Sequence, residues 1–157
     1  MELRRYVDAD AVAVVALFTA SVHGLAGAHY DAAQRRAWAP VDADIDDWRR
    51  RLAAQHVLLA VDGDALAGFI GYEDDGHIDL LYTAPSHARH GVATRLLAAA
   101  EHALIAGRAV RLKTEASAVA RPFFERHGFA VMAPEDVSRD GVILRRYVMR
   151  KPVHRAL

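Results

Sequence analysis

The chain predicts an α/β (α+β) fold: a mixed sheet with helices packed on it. Three observations carry this. The 157 residues are 53% hydrophobic and 25% charged, enough for one packed core and unlike a disordered or low-complexity chain. Strand-like runs alternate with segments of helical periodicity in the order β-αα(α)-βββ-α-β-α-ββ. Asp-Gly turn signals at Asp62-Gly63, Asp75-Gly76 and Asp140-Gly141 separate the strands that follow one another directly.

In order, Glu2 to Val7 reads as a short strand. Asp8 or Asp10 is placed to cap the next helix, because a carboxylate accepts from the free N–H groups of a first turn. Val14, Phe18, Val22 and Leu25 form one face of that helix, which ends between Gly24 and Gly27. Two shorter helices follow, Asp31 to Trp38 and Asp44 to Ala54, with Pro40 between them. Val57 to Val61, Ala65 to Tyr72 and His77 to Thr83 are strands. Gly91 to Ala106 is a strong helix with Val92, Leu96, Ala99, Ala103 and Leu104 as its apolar face, ended by Gly107. Val110 to Glu115 is a strand and Val119 to His127 a short helix stopped by Gly128. Phe129 to Met132 opens one more strand, and Val142 to Arg150 is the last. No repeat or linker appears, so residues 1–157 read as one domain.

Charge and composition exclude several partners. Lys+Arg and Asp+Glu are both 20, so the formal net charge is zero, which disfavours nucleic acid and anionic membrane as principal partners. Cysteine is absent, which removes disulfides, thiolate metal sites and a cysteine nucleophile. The uncharged run from Ala11 to Ala28 approaches the length of a membrane span and mimics a signal peptide. Asp8 and Asp10 directly before it, the polar residues inside it and its one-sided apolar face favour a core helix instead. The expected location is the cytoplasm, with no membrane partner.

The informative stretch runs from Leu80 to Leu97, where a strand ends, a loop turns and a helix begins at a glycine. A helix start has unpaired N–H groups at the positive end of its dipole, which suits phosphate. Gly91 and Ala93 lack bulk, so a phosphate reaches the backbone, and Arg89, His90 and Arg95 add donors. Neither a P-loop nor a Gly-x-Gly-x-x-Gly dinucleotide fingerprint is present. An ordinary helix start is the competing reading of this loop alone.

Ala88-Arg89-His90-Gly91-Val92-Ala93 resembles the Gln/Arg-x-x-Gly-x-Gly/Ala signature of the GNAT superfamily of acyl-CoA-dependent N-acyltransferases. Ser117 through Phe129 resembles its second signature, Asn-x-x-Ala-x-x-x-Tyr-Glu-x-x-Gly-Phe. Both lie at family spacing, the element order matches, and the likeness covers essentially the whole chain. It is nearest a bacterial subgroup of small GNAT proteins. The resemblance implies a mixed, mostly antiparallel central sheet flanked by helices and splayed between strands four and five, with acetyl-CoA in the gap as co-substrate. It implies that the amides of Val92, Ala93, Thr94 and Arg95 hold the pyrophosphate. The pantetheine arm then pairs with the backbone around Leu81, Tyr82 and Thr83, and the Leu81 N–H faces the thioester oxygen. A homodimer is common in such a family.

Three positions depart from the signatures: Ala88 for Gln or Arg, Ser117 for Asn, and Phe124 where a Tyr often protonates the leaving thiolate. The helix amides keep most of the phosphate contact, Ser117 keeps a capping role, and a thiol of pKa ~8.5 leaves tolerably unaided. An amine acceptor of pKa ~10 needs a base. His77 and Asp79 alternate with Leu81 and Thr83, which predicts that all four share one sheet face. His77 or Asp79 is the expected base and Tyr147 a candidate replacement acid; each also has a plain structural reading. His29, Tyr30 and Trp38 fall where the family walls the acceptor pocket. His87-x-x-His90 has no acidic neighbour, so no metal is expected. The expected reaction is acetyl transfer to a small-molecule or peptide amine by direct attack in a ternary complex. A silent acyl-CoA-binding sensor or regulator is the alternative.

Overall fold

A computed structural model describes residues 1–153. Among the described residues seven strands join one sheet: β1 (Glu2–Arg5), β2 (His56–Asp62), β3 (Ala65–Tyr72), β4 (His77–Thr83), β5 (Arg111–Ser117), β6 (Ala130–Arg139) and β7 (Val142–Pro152). Their order is β1-β2-β3-β4-β5-β7-β6. Every neighbouring pair is antiparallel except β4 and β5.

The helices are α1 (Ala11–Leu25), α2 (Ala32–Trp38), α3 (Ile45–Ala53), α4 (Val92–Ala106) and α5 (Arg121–Arg126). Strand alternation sends side chains to two faces, and each face has its own apolar cluster. Val14, Phe18 and Val22 of α1 and Leu52 of α3 cover Leu59, Phe69 and Leu80. Val92, Leu96, Leu97, Ala100 and Leu104 of α4, with Phe124 of α5, cover Ile70, Ile78, Leu112 and Met149. Among the described residues one helical stretch, Asp8–Leu25, is long and apolar enough to cross a membrane. Its inner face is spent on this core.

Several local details differ from the sequence expectation. Asp10 does not cap α1; its carboxylate turns back to Arg4 and the Val7 N–H, closing the short turn before the helix. The apolar face of α4 runs through Leu97 and Ala100, while Ala103 is exposed and Ala99 half-buried. The last helix spans only Arg121–Arg126, because Ser117 first caps the preceding turn through the Ala120 N–H at 3.1 Å. The strand opened by Phe129 to Met132 runs on seven residues past Met132, to Arg139. Pro134 is tolerated because β6 is an edge strand, and the register shift between Val131 and Ala133 leaves Met132 as a bulge.

Candidate active site

The site begins where two strands stop pairing. β4 and β5 share only the rungs His77–Lys113 and Ile78–Thr114. The Thr114 hydroxyl closes the last rung by donating to the Ile78 carbonyl at 2.9 Å. Beyond it the strands diverge, and a cavity of about 380 Å³ fills the space, lined on one side by Leu80, Leu81 and Tyr82 and on the other by Glu115, Ala116 and Ser117. That volume lies in the range of small-molecule sites.

A bulge sets which side chains face the cavity. Gly71 of β3 pairs with Leu80 and Tyr72 with Ile78, so Asp79 is the extra residue on β4. The predicted common face for His77, Asp79, Leu81 and Thr83 is therefore wrong. Leu80 and Tyr82 pack under α1 and α3, whereas Ile78 and Leu81 join the α4 cluster. Thr83, opposite Gly68, follows Leu81. Asp79 and His77 turn to the α3 side, as their partners below show.

The helix α4 starts at the open end. Gly91 sits at φ 78°, ψ 9°, a left-handed conformation that a β-carbon disfavours, with nothing within 4 Å of where that carbon would lie. The first three N–H groups of α4 have no acceptor within the helix. Arg89, also at positive φ (63°), His90 and Thr94 are exposed beside this end. Ala93 is half-buried there. The expected Arg95 amide is already used, donating to the Gly91 carbonyl at 3.1 Å as the first helical bond, and the Arg95 side chain donates to the Met1 carbonyl at 2.8 Å. Gly68 brings the helix close: a β-carbon there would stand 2.8 Å from both the Tyr82 carbonyl oxygen and Val92 Cγ1. His87 is held by Asp62 at 3.0 Å and by Ser86.

The wall under α1 to α3 is aromatic. Phe18 lies 4.7 Å from Trp48 and 4.9 Å from Tyr82, and Trp38 lies 5.3 Å from Tyr30, centroid to centroid. All five line the cavity. Burial pushes the Tyr82 hydroxyl up to about 12, against a hydrogen bond from Trp38. Tyr30 is a structural anchor as well as a wall: its hydroxyl donates to the Arg145 carbonyl at 2.7 Å and accepts from the Ala118 N–H at 2.9 Å. His29, predicted beside it, is exposed and does not line the cavity. Trp48, in α3, lines it as well.

The polar wall is paired within the protein. Arg51 grips Asp79 with two bonds of 2.9 and 3.0 Å, and Gln55 adds a third at 2.8 Å. Burial works to raise the Asp79 carboxyl, but these bonds and the Arg51 charge outweigh it and hold it below the usual range. His77 donates from Nε2 to Glu115 at 2.9 Å and from Nδ1 to Glu73 at 2.7 Å. The Glu115 bond chiefly, then Glu73, raise His77 to about 9 against its burial. His77 lowers Glu115 in return. Arg145 pairs with Asp136 and Arg146 with Glu135.

Phe124 is buried against Phe123 and Phe129 and lines the cavity, supplying no proton donor. Tyr147 does not line it; its ring lies under the Arg121 guanidinium, 4.6 Å away. Sequence reasoning missed Arg51 and Glu115. Glu115 had a signal: it sits between buried Thr114 and Ala116, a polar residue on the alternate face of a core strand. Arg51 had none, because its partner lies 28 residues away.

A splayed strand pair beside a helix start matches one family. The acetyltransferase (GNAT) domain profile fits residues 26–151, and the chain belongs to that family of N-acetyltransferases. It is 34% identical over 155 residues to the uncharacterized N-acetyltransferase YafP of Escherichia coli (strain K12), covering 98% of each chain. A GCN5-related N-acetyltransferase from Rhodopseudomonas palustris superposes with a TM-score of 0.93 at 32% identity, over 97% of this chain and 95% of that one. The PaiA N-acetyltransferase of Thermoplasma acidophilum, solved with coenzyme A, shares the fold at a TM-score of 0.78 and 17% identity, over 97% and 98% of the two chains.

Proposed function

We propose that the protein moves an acetyl group from acetyl-CoA to a primary amine, small molecule or peptide, by direct attack in a ternary complex. The observation that carries this is the gap between β4 and β5. One cavity joins the parted ends of β4 and β5 to the aromatic wall of α1, α2 and α3, and the α4 start lies outside its lining, which leaves the gap for the thioester arm and the wall for the acceptor. The coenzyme A in the Thermoplasma relative supports that class of cofactor.

In this reading the amides at the start of α4 hold the pyrophosphate, with Arg89 and His90 beside them. The pantetheine adds to the free edge of β4 near Leu81 and Thr83, as an extra strand would. The Leu81 N–H stabilises the oxygen that becomes negative when the amine attacks. The amine forms its bond to the thioester carbon, the C–S bond breaks, and the thiolate leaves without a tyrosine donor, since Phe124 occupies that place. No metal takes part, and the setting is cytoplasmic.

Phe124 also motivates a second reading, an acyl-CoA-binding protein without turnover. A thermal-shift titration with acetyl-CoA, CoA, NAD and ATP, followed by free-thiol release on adding amines, separates the outcomes. A shift with both CoA species plus thiol release supports the transferase. A shift without release supports the binding protein, and no shift with either CoA species overturns both.

A further inference from the structure

One of the internal pairs on the polar wall continues to solvent. Glu115 lines the cavity, with its side chain 28% exposed. His77 stands behind it, bonded through Nε2 to Glu115 and through Nδ1 to Glu73. The Glu73 side chain is 49% exposed at the outer end. Three side chains from β5, β4 and the β3–β4 turn thus form a file from cavity to water, beside the two paired rungs that precede the parting. Asp79, the other carboxylate on this wall, accepts two bonds from Arg51 and one from Gln55. Those donors stabilise its anion, so it is a poor proton acceptor and serves as an anchor for Arg51.

We propose that the Glu115–His77–Glu73 file is the proton acceptor for the amine, with Glu115 meeting the ammonium, His77 taking its proton and Glu73 returning it to water. The proposal rests on the transferase reading above. The ammonium N–H breaks and its proton crosses the Glu115 carboxylate to a neutral His77 ring. The freed lone pair forms the N–C bond, and the C–S pair leaves with sulfur. The second amine proton neutralises the thiolate, so one proton per turnover goes to bulk through His77 and Glu73.

Electrostatics support the file. An imidazole that titrates near 9 is far better matched to an ammonium of pKa ~10 than a lone carboxylate of pKa ~4. Glu115, Glu73 and Asp79 raise it, and the further charged groups around these are Asp75 in the turn, Arg51 on α3, Lys113 on β5 and Arg146 on β7. Glu73 is the useful lever because it touches His77 and does not line the cavity.

The test combines an NMR titration of the His77 ring with pH–rate profiles, using the fastest acceptor among benzylamine, ethanolamine, putrescine and alanine amide. Wild type, Glu73→Gln, His77→Gln and Glu115→Gln are compared, and acetyl-CoA binding is measured for each. In wild type, kcat/KM is expected to climb to a plateau near the pH at which the ring titrates. Glu73→Gln moves both midpoints down together by about one pH unit and lowers the plateau rate, because the proton loses its exit carboxylate. His77→Gln and Glu115→Gln lower kcat/KM about 100-fold with acetyl-CoA binding intact. Turnover with an unmoved profile in Glu73→Gln, or a His77 ring that titrates in the ordinary range, overturns the file and leaves the transferase standing. Acetyl-CoA binding without turnover of any of the four amines overturns the transferase, and the file with it.

Discussion

At the scale of single residues, Gly91 carries a sharp expectation. Its left-handed conformation and the open space around it leave the α4 amides bare. Gly91→Glu adds a negative charge where the pyrophosphate is expected and strains the backbone by about 1 kcal/mol. Acetyl-CoA affinity should fall at least about 100-fold by calorimetry. Gly91→Ala keeps the strain without the charge and should bind within about tenfold of wild type. Much of this end was legible in the sequence, because helix starts and glycines are local signals. The acceptor end was not. Tyr30 lines the cavity while its neighbour His29 faces out, and only the docking of Tyr30 against Arg145 and Ala118 decides between them. Asp79 looked like a base because sequence shows its type and hides Arg51, brought to it from another element.

At the scale of elements, Gly68 governs how closely α4 approaches β3 and β4. Gly68→Ala places a methyl 2.8 Å from the Tyr82 carbonyl and from Val92. We expect a loss of about 1–3 kcal/mol in chemical denaturation and weaker acetyl-CoA binding, as the helix start lifts from the strand. The turn before β4 carries a pH dependence. His77 titrates near 9 in the folded chain and at its ordinary value when unfolded. Its contribution is complete below pH 6.5 and is lost as pH rises through 9. Discounted for partial exposure, about 1–2 kcal/mol should disappear from urea midpoints over that window, and Glu73→Gln should flatten the slope. Strand and helix types were readable from periodicity. The bulge at Asp79 was not, since a single extra residue leaves the apolar pattern of β4 almost unchanged while reversing its later faces. The length of β6 was not readable either: Pro134 fits a strand only at an edge, and no local pattern says that β6 lies at one.

For the whole molecule, ligand binding and folding are one equilibrium. With acetyl-CoA at about 100 times its dissociation constant, stability should rise by about 2.7 kcal/mol. For a chain of 157 residues that is a shift of roughly 5–10 °C in a melting scan. A shift of that size with NAD instead would contradict the site. The sheet with its covering helices was legible because element order, turn signals and two signatures agreed across the chain. The pairing inside the sheet was legible only through the family resemblance, because no local pattern says where two parallel strands part.

That parting leaves the sheet with two edges in its interior. Most sheets end at the outside, where β1 is four residues long and β6 carries a proline and a bulge. Here β4 and β5 also end against each other, and their backbone groups beyond Ile78 and Thr114 lack a strand partner across the gap. A ligand arm that lies between them finishes a piece of secondary structure. Part of its affinity is then main-chain pairing, which is indifferent to side-chain identity. Substitutions along the gap should therefore be forgiven more readily than a change of chain length within it, because the first alters a wall and the second misaligns the seam.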